Sequence, residues 1–216
     1  MWTGHGGSRV YYRGMGNAYT GDVTAFILAG GKSTRMGPDK AFVEWDGSTL
    51  LARALNVART VTPAARIVGS REKFAEFVPV VEDEFRDCGP LGGIHAALLA
   101  SQTELNLILA VDMPFVSATF LDYLLNLARN AHDADVVVPQ AGGRWQPLCA
   151  VYRRKFAVAA ESALRAGRNR IDRLFDVVPL RVVDEKELEG AGFSLNIFRN
   201  LNTPEDLEAE KQRACR

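Results

Sequence analysis

Val23-Thr24-Ala25-Phe26-Ile27-Leu28 runs straight into Ala29-Gly30-Gly31-Lys32-Ser33-Thr34-Arg35-Met36-Gly37-Pro38-Asp39-Lys40. A short apolar run closed by glycines reads as a buried strand entering a tight turn. The segment after Leu28 then lies at the carboxyl edge of a sheet, where open α/β folds bind their ligands. Small residues let main-chain N–H groups approach an anion closely. Lys32, Arg35 and Lys40 set three cations against the single acid Asp39. Any one of these cations alone is as readily an ordinary surface charge; the whole string has the composition of a polyphosphate cradle. A Walker A loop is excluded by spacing: Gly31-Lys32-Ser33 would need Gly five residues before Gly31, and Phe26 stands there.

The alternation continues downstream. Leu50, Leu51, Ala54, Leu55 and Ala58 predict a helix over 49–59, with Ser48 or Thr49 available as its cap. Residues 66–68 and 80–81 are short strand candidates around a helix at 72–77. Glycines open a helix over 92–100, and 105–111 is a second all-apolar strand, ending on Asp112. Residues 117–130 form an amphipathic pattern and 136–138 another buried strand. This βαβα rhythm implies an α/β fold: three layers, Rossmann-like, with a mainly parallel sheet and helices on both faces. The order changes after Pro139. Strands at 148–152 and 177–183 flank a helix at 156–166, which suggests an insertion with some antiparallel pairing. Thr203-Pro204-Glu205-Asp206 carries a capping Thr and Pro at the first helical position, so a last helix starts there.

Composition narrows the function. The 216 residues are 47% apolar and 24% charged, enough for one α/β domain with a sizeable core and against wholesale disorder. Lys and Arg total 26 against 26 Asp and Glu, so no cationic surplus marks a general nucleic-acid binder. No apolar run is long enough for a membrane helix. Cys88, Cys149 and Cys215 form no CxxC pair, and with only His5, His95 and His132 beside them no zinc knuckle or disulfide framework is written here. A cytoplasmic enzyme is the expectation. Residues 1–22 hold six glycines without apolar periodicity and read as a flexible leader ahead of one domain at 23–216, with Met15 as an alternative start. The glycines of the leader do not make a dinucleotide fingerprint: Arg9 and Tyr19 stand where its last Gly belongs.

Further candidates lie along the presumed rim. Asp112 is delivered by an apolar strand and followed by Met113-Pro114, which suits a carboxylate that shares Mg²⁺ with phosphate oxygens, or else a solvated loop acid. The run from Glu82 through Asp83 to Gly92-Gly93 offers acids for a base or ribose beside a flexible backbone, although acidic loops are usually just wet. Gln146-Pro147 is a substrate contact or a loop entering a strand. Asn196, Asn200 and Asn202, one by one, are turn residues. His95 is expected on a packed helix face, and Cys88 and Cys149 are expected to be inert.

Taken in order, the residues resemble a family. Leu28–Lys40, Gly89-Pro90-Leu91-Gly92-Gly93-Ile94, Asp112-Met113-Pro114, Gln146-Pro147 and Asn200-Leu201-Asn202-Thr203-Pro204-Glu205 resemble the motifs of the nucleotidyltransferases that build molybdenum-cofactor dinucleotides. The match spans about Val23 to Leu207. It is closest to the guanylyltransferase branch, since Leu28-Ala29-Gly30-Gly31 replaces the Leu-Ala-Ala-Gly common in relatives that use CTP. The resemblance implies a nucleotidyltransferase fold and a Mg²⁺-dependent transfer of GMP from GTP to Mo-molybdopterin, with loss of pyrophosphate. It implies main-chain GTP contacts at Leu28, Ala29, Gly30 and Gly31, and a further GTP contact from Asp83. Catalytic roles fall to Lys40 at the α-phosphate, Arg35 at the departing pyrophosphate and Asp112 on the metal. Gln146, Asn200 and Asn202 become the candidate pterin-side residues. The family often has Asn at the end of its second strand; here Gly69 stands there, so either its backbone or Ser70 does that work. Other readings are a cytidylyltransferase or sugar-nucleotide transferase, a non-catalytic GTP-binding module, and an adaptor for molybdoenzyme assembly. Chaperones or cofactor-insertion proteins are the expected macromolecular partners.

Overall fold

Strand β1 (Val23–Leu28) is buried along its whole length, with Val23, Ala25 and Ile27 entering one core and Phe26 and Leu28 the other. A strand covered on both faces has no polar side, which is why its sequence is apolar but for Thr24, whose hydroxyl accepts from that of Thr103 at 2.9 Å. The computed structural model describes residues 21–30, 40–85, 87–201, 206 and 208. Gly31, Lys32, Arg35, Asn202, leader residues 1–20 and the expected helix start at Thr203-Pro204 lie outside the described residues.

A 3₁₀ turn at Lys40–Phe42 leads into the hairpin β2 (Glu44–Trp45) and β3 (Ser48–Thr49), then α1 (Leu50–Arg59). After it come β4 (Ala65–Val68), α2 (Arg71–Phe74), β5 (Val80–Val81), α3 (Pro90–Ala100), β6 (Leu105–Ala110) and α4 (Ala118–Asn130). The second half holds β7 (Val136–Ala141), β8 (Arg144–Trp145), β9 (Cys149–Arg153), α5 (Phe156–Arg165), α6 (Ile171–Phe175), β10 (Leu180–Val183) and α7 (Glu185–Gly190), with a closing 3₁₀ turn at Leu195–Phe198.

The main sheet runs β10-β7-β9-β6-β1-β4-β5, with β8 added to β7. β6, β1, β4 and β5 pair in parallel; β9 runs antiparallel to both β6 and β7. The expected antiparallel pairing is therefore supplied by β9 and by the short β8, which also runs antiparallel to β7. α1 and α4 pack in one core, α3, α5 and α6 in the other, so the sheet is covered on both sides. Asn106 is the polar exception inside β6. Its amide donates to the carbonyls of Thr103, Glu104 and Tyr152, which removes the cost of burying it.

Local chemistry sets the ends. The Thr49 hydroxyl accepts from the Ala52 N–H at 3.1 Å to cap α1, and Ser117 does the same for α4 at Phe120 N, 3.2 Å. Such caps are each worth about 1 kcal/mol. Three expected spans shift. The helix expected at 72–77 stops at Phe74, and the strand expected at 177–183 begins only at Leu180, because the Val177 and Val178 N–H groups close the end of α6 on Leu174 O. The strand expected at 136–138 continues through Pro139, where β9 no longer pairs and Gln146 N–H donates to the Pro139 carbonyl. The two tight hairpins turn on Asp46-Gly47 and Gly142-Gly143, all four residues at positive φ, the backbone of a two-residue turn that matches strand twist.

Candidate active site

The carboxyl ends of β1, β4 and β6 come together as one rim. Ala29 N–H donates to Val68 O at 3.0 Å, and Val111 N–H donates to Leu28 O at 3.1 Å. Gly30 therefore passes directly over the end of β4: a Cβ on Gly30 would lie 3.8 Å from the Gly69 Cα. Asp112 follows β6 by two residues. Its Oδ2 lies 3.4 Å from Lys40 Nζ, and both side chains keep a wet face, with 21% exposure for Lys40 and 19% for Asp112. The two charges that the sequence separates by 72 positions thus meet beside the glycine turn.

The far end of the chain returns to the same place. Leu201 N–H donates to Asp112 O at 3.0 Å, which sets exposed Asn200 at the rim. Gln146 arrives by a different route. Ala110 N–H donates to Leu148 O at 2.8 Å, so the 146–148 loop runs along the last residue of β6. The Gln146 amide folds back onto its own hairpin, toward Ala141 O at 3.5 Å and Arg144 O at 3.4 Å.

Asp83 occupies the opposite flank. Its Oδ1 accepts the Phe85 N–H at 2.8 Å, and the turn this makes is seated on the first helical turn of α3. A Cβ on Gly92 would collide with the Asp83 carboxylate and come within 2.9 Å of Phe85 O. Next to it, Gly93 leaves just the room Leu28 needs, 3.4 Å from a Cβ position to Leu28 Cδ2. The two glycines that open α3 are there for close approach. Burial holds the Asp83 carboxyl above the ordinary carboxylate range, while the Phe85 N–H and the charge of His95 pull it down. His95 itself is buried on α3 with its ring edge-on to Phe85 at 5.2 Å, the packed position expected for it. Arg165 of α5, not singled out in the sequence, sets its guanidinium 6.0 Å from the same Phe85 ring. The buried Cys149 thiol is pushed well above its usual range by desolvation, which leaves it inert.

Gly69 settles half of its own question. Its N–H donates to Val81 O at 3.0 Å, so that donor is taken by the sheet. A Cβ there would sit 3.0 Å from Phe74 Cε2, which explains why the position is a glycine in this chain. Ser70, half-buried at the start of α2, makes no capping bond with its side chain.

Among the described residues no three His, Cys, Asp or Glu side chains form a metal cage. Asp112, a single carboxylate at this glycine-lined rim, fits a hard cation that takes most of its oxygens from phosphates.

Comparison with known proteins agrees with this architecture. Residues 25–180 match the model of the MobA-like NTP transferase domain. A protein of Methanosarcina acetivorans named probable molybdenum cofactor guanylyltransferase is 35% identical over 86% of this chain and 88% of its own length. The molybdenum cofactor guanylyltransferase of Desulfosudis oleivorans is 34% identical over 86% of this chain and 93% of its own length. The crystal structure of molybdopterin-guanine dinucleotide biosynthesis protein A from Archaeoglobus fulgidus superposes with a TM-score of 0.76 at 26% identity, over 89% of this chain and 98% of that one. The fold is that of an α/β nucleotidyltransferase. More narrowly, the chain belongs to the family of the MobA-like NTP transferase domain.

Proposed function

We propose that this protein transfers GMP from GTP to Mo-molybdopterin, forming the guanine dinucleotide cofactor and pyrophosphate. The observation that carries the reading is the Lys40–Asp112 pair, 3.4 Å apart at the glycine-lined rim. Two relatives at 35% and 34% identity named for this activity support the choice of nucleotide and acceptor.

In this reading an oxygen of the pterin's terminal phosphate attacks the α-phosphorus of GTP, and the bond to the β-phosphate oxygen breaks in line. Lys40 steers the α-phosphate and offsets the charge that builds there, while Arg35 receives the departing pyrophosphate. Asp112 would hold Mg²⁺, which when bound would neutralise triphosphate charge and favour the leaving group. Leu28, Ala29, Gly30 and Gly31 bring main-chain groups against the nucleotide. Asp83 reads the nucleoside from the α3 flank, with Ser70 as the free hydroxyl beside Gly69. Gln146, Asn200 and Asn202 are assigned to the acceptor side. Little covalent work falls to the protein; alignment and electrostatics supply most of the acceleration. We place the reaction in the cytoplasm, with a cofactor-insertion partner receiving the product.

The test is incubation of the purified protein with GTP, Mg²⁺ and Mo-molybdopterin, followed by mass identification of the dinucleotide, with CTP, ATP and UTP as competitors. A guanine dinucleotide formed by the wild type and lost in Asp112→Ala is the expected outcome. A cytosine dinucleotide, or turnover near wild type in Asp112→Ala, overturns it.

A further inference from the structure

Arg53 lies on α1, away from the reacting groups, and yet it touches the segments that carry both of them. Its Nε–H donates to Pro114 O at 2.8 Å, across 61 residues of sequence, in the turn that directly follows Asp112. Its Nη1 pairs with Asp46 Oδ2 at 3.6 Å, in the turn of the β2–β3 hairpin that directly follows Lys40–Phe42. That hairpin is linked to Lys40 through Val43: Val43 N–H donates to Lys40 O at 3.1 Å and Leu50 N–H donates to Val43 O at 2.9 Å. A second contact repeats the link, Trp45 of β2 packing edge-on against Phe115 at 5.9 Å. The Phe115 ring also carries the Arg199 guanidinium, 5.9 Å away.

We infer that Arg53 is a positioning residue that braces the Asp112 turn to the Lys40 hairpin and so sets the spacing of the two charges across the rim. The inference rests on the reading of Lys40 and Asp112 as the working pair. An arginine suits this place because its planar fork reaches a carbonyl and a carboxylate in two fixed directions at once, which a single ammonium does not. The consequence for chemistry is large relative to the energy of the contact. An exposed ion pair such as Arg53–Asp46 adds little stability, whereas a displacement of about 1 Å at reacting groups costs up to about a hundredfold in rate.

The experiment compares Arg53→Gln and Arg53→Lys with the wild type and Asp112→Ala. It reads kcat and KM for GTP, calorimetric affinity for Mn²⁺ in the presence of a GTP analogue with an uncleavable α–β bridge, and the melting temperature. For Arg53→Gln we expect kcat to fall about tenfold, KM to change by less than about threefold, and Mn²⁺ affinity to weaken about fivefold well below the melting temperature. Arg53→Lys, which keeps one donor for Pro114 O, should lose about threefold in kcat. Wild-type kcat and Mn²⁺ affinity in both variants, with or without a lower melting temperature, overturn the brace. If Arg53→Gln does not fold, Arg53→Lys decides alone by the same two quantities. Retained turnover in Asp112→Ala instead removes the reading of the working pair, whatever the Arg53 variants do.

Discussion

Lys40 and Asp112 pair at 3.4 Å with part of each side chain wet, so an incoming triphosphate competes with Asp112 for the Lys40 ammonium. A lysine that trades a carboxylate for a phosphate gains most where negative charge grows, which is the transition state rather than the bound substrate. Lys40→Ala is therefore expected to lower kcat by about a hundredfold or more, the scale of one deleted oxyanion contact, with a smaller change in KM. Steady-state kinetics check this; a rise in KM with kcat intact would make Lys40 a ground-state contact only. Asp83 yields a second prediction at this scale. Burial raises its proton affinity in the folded state above that of the unfolded chain, so its contribution to stability is greatest at acid pH and is lost as pH rises through the raised value. Asp83→Asn keeps an acceptor for the Phe85 N–H and removes the charge. The variant should gain stability over the wild type near pH 7, a gain that shrinks as pH falls toward 4, while its affinity for GTP weakens. Urea denaturation at the two pH values, with a GTP titration, reads both; a gain that grows on acidification contradicts the sign. At Gly69 the residue alone left two readings; the bond to Val81 shows that its N–H is engaged, and only the packing of Phe74 shows why no side chain stands there.

The elements show what one-dimensional patterns carry. β1 and β6 were legible as runs that are apolar but for Thr24 and Asn106, and β6 in particular as the strand that delivers Asp112, because burial on both faces leaves little room for polar positions. α1 and α4 were legible from their apolar stripes, and α1 also from its Thr49 cap; that Ser117 caps α4 emerges only in the structure. The Asp46-Gly47 and Gly142-Gly143 turns carry the Asp-Gly and Gly-Gly signal of two-residue hairpins. The brace from Arg53 to Pro114 carries none, since a side chain bonded to a carbonyl 61 residues away is a product of packing. α3 joins both kinds: its glycines announce an opening helix, while the reason for two of them lies in Asp83 and Leu28. Gly92→Ala is expected to push the Asp83–Phe85 turn off α3, costing about 1–3 kcal/mol as an overpacked contact and raising KM for GTP more than it lowers kcat. Chemical denaturation and kinetics test this together, and a variant with wild-type KM would detach Asp83 from nucleotide recognition.

At the scale of the molecule, one sheet separates two apolar cores and exposes a single rim where β1, β4 and β6 end together. Charge is organised locally at that rim, since the whole chain balances 26 basic against 26 acidic residues. That balance favours a small anionic substrate held by a few placed cations over a long polyanion held by a field. The most direct measurement is a crystal structure of the protein with GTP and Mn²⁺, located by its anomalous signal. The expected result places the cation at bonding distance from an Asp112 carboxylate oxygen and the triphosphate beside Lys40, over Leu28–Gly30. A triphosphate bound elsewhere, or a cation out of reach of Asp112, contradicts the assignment of this rim as the site of transfer.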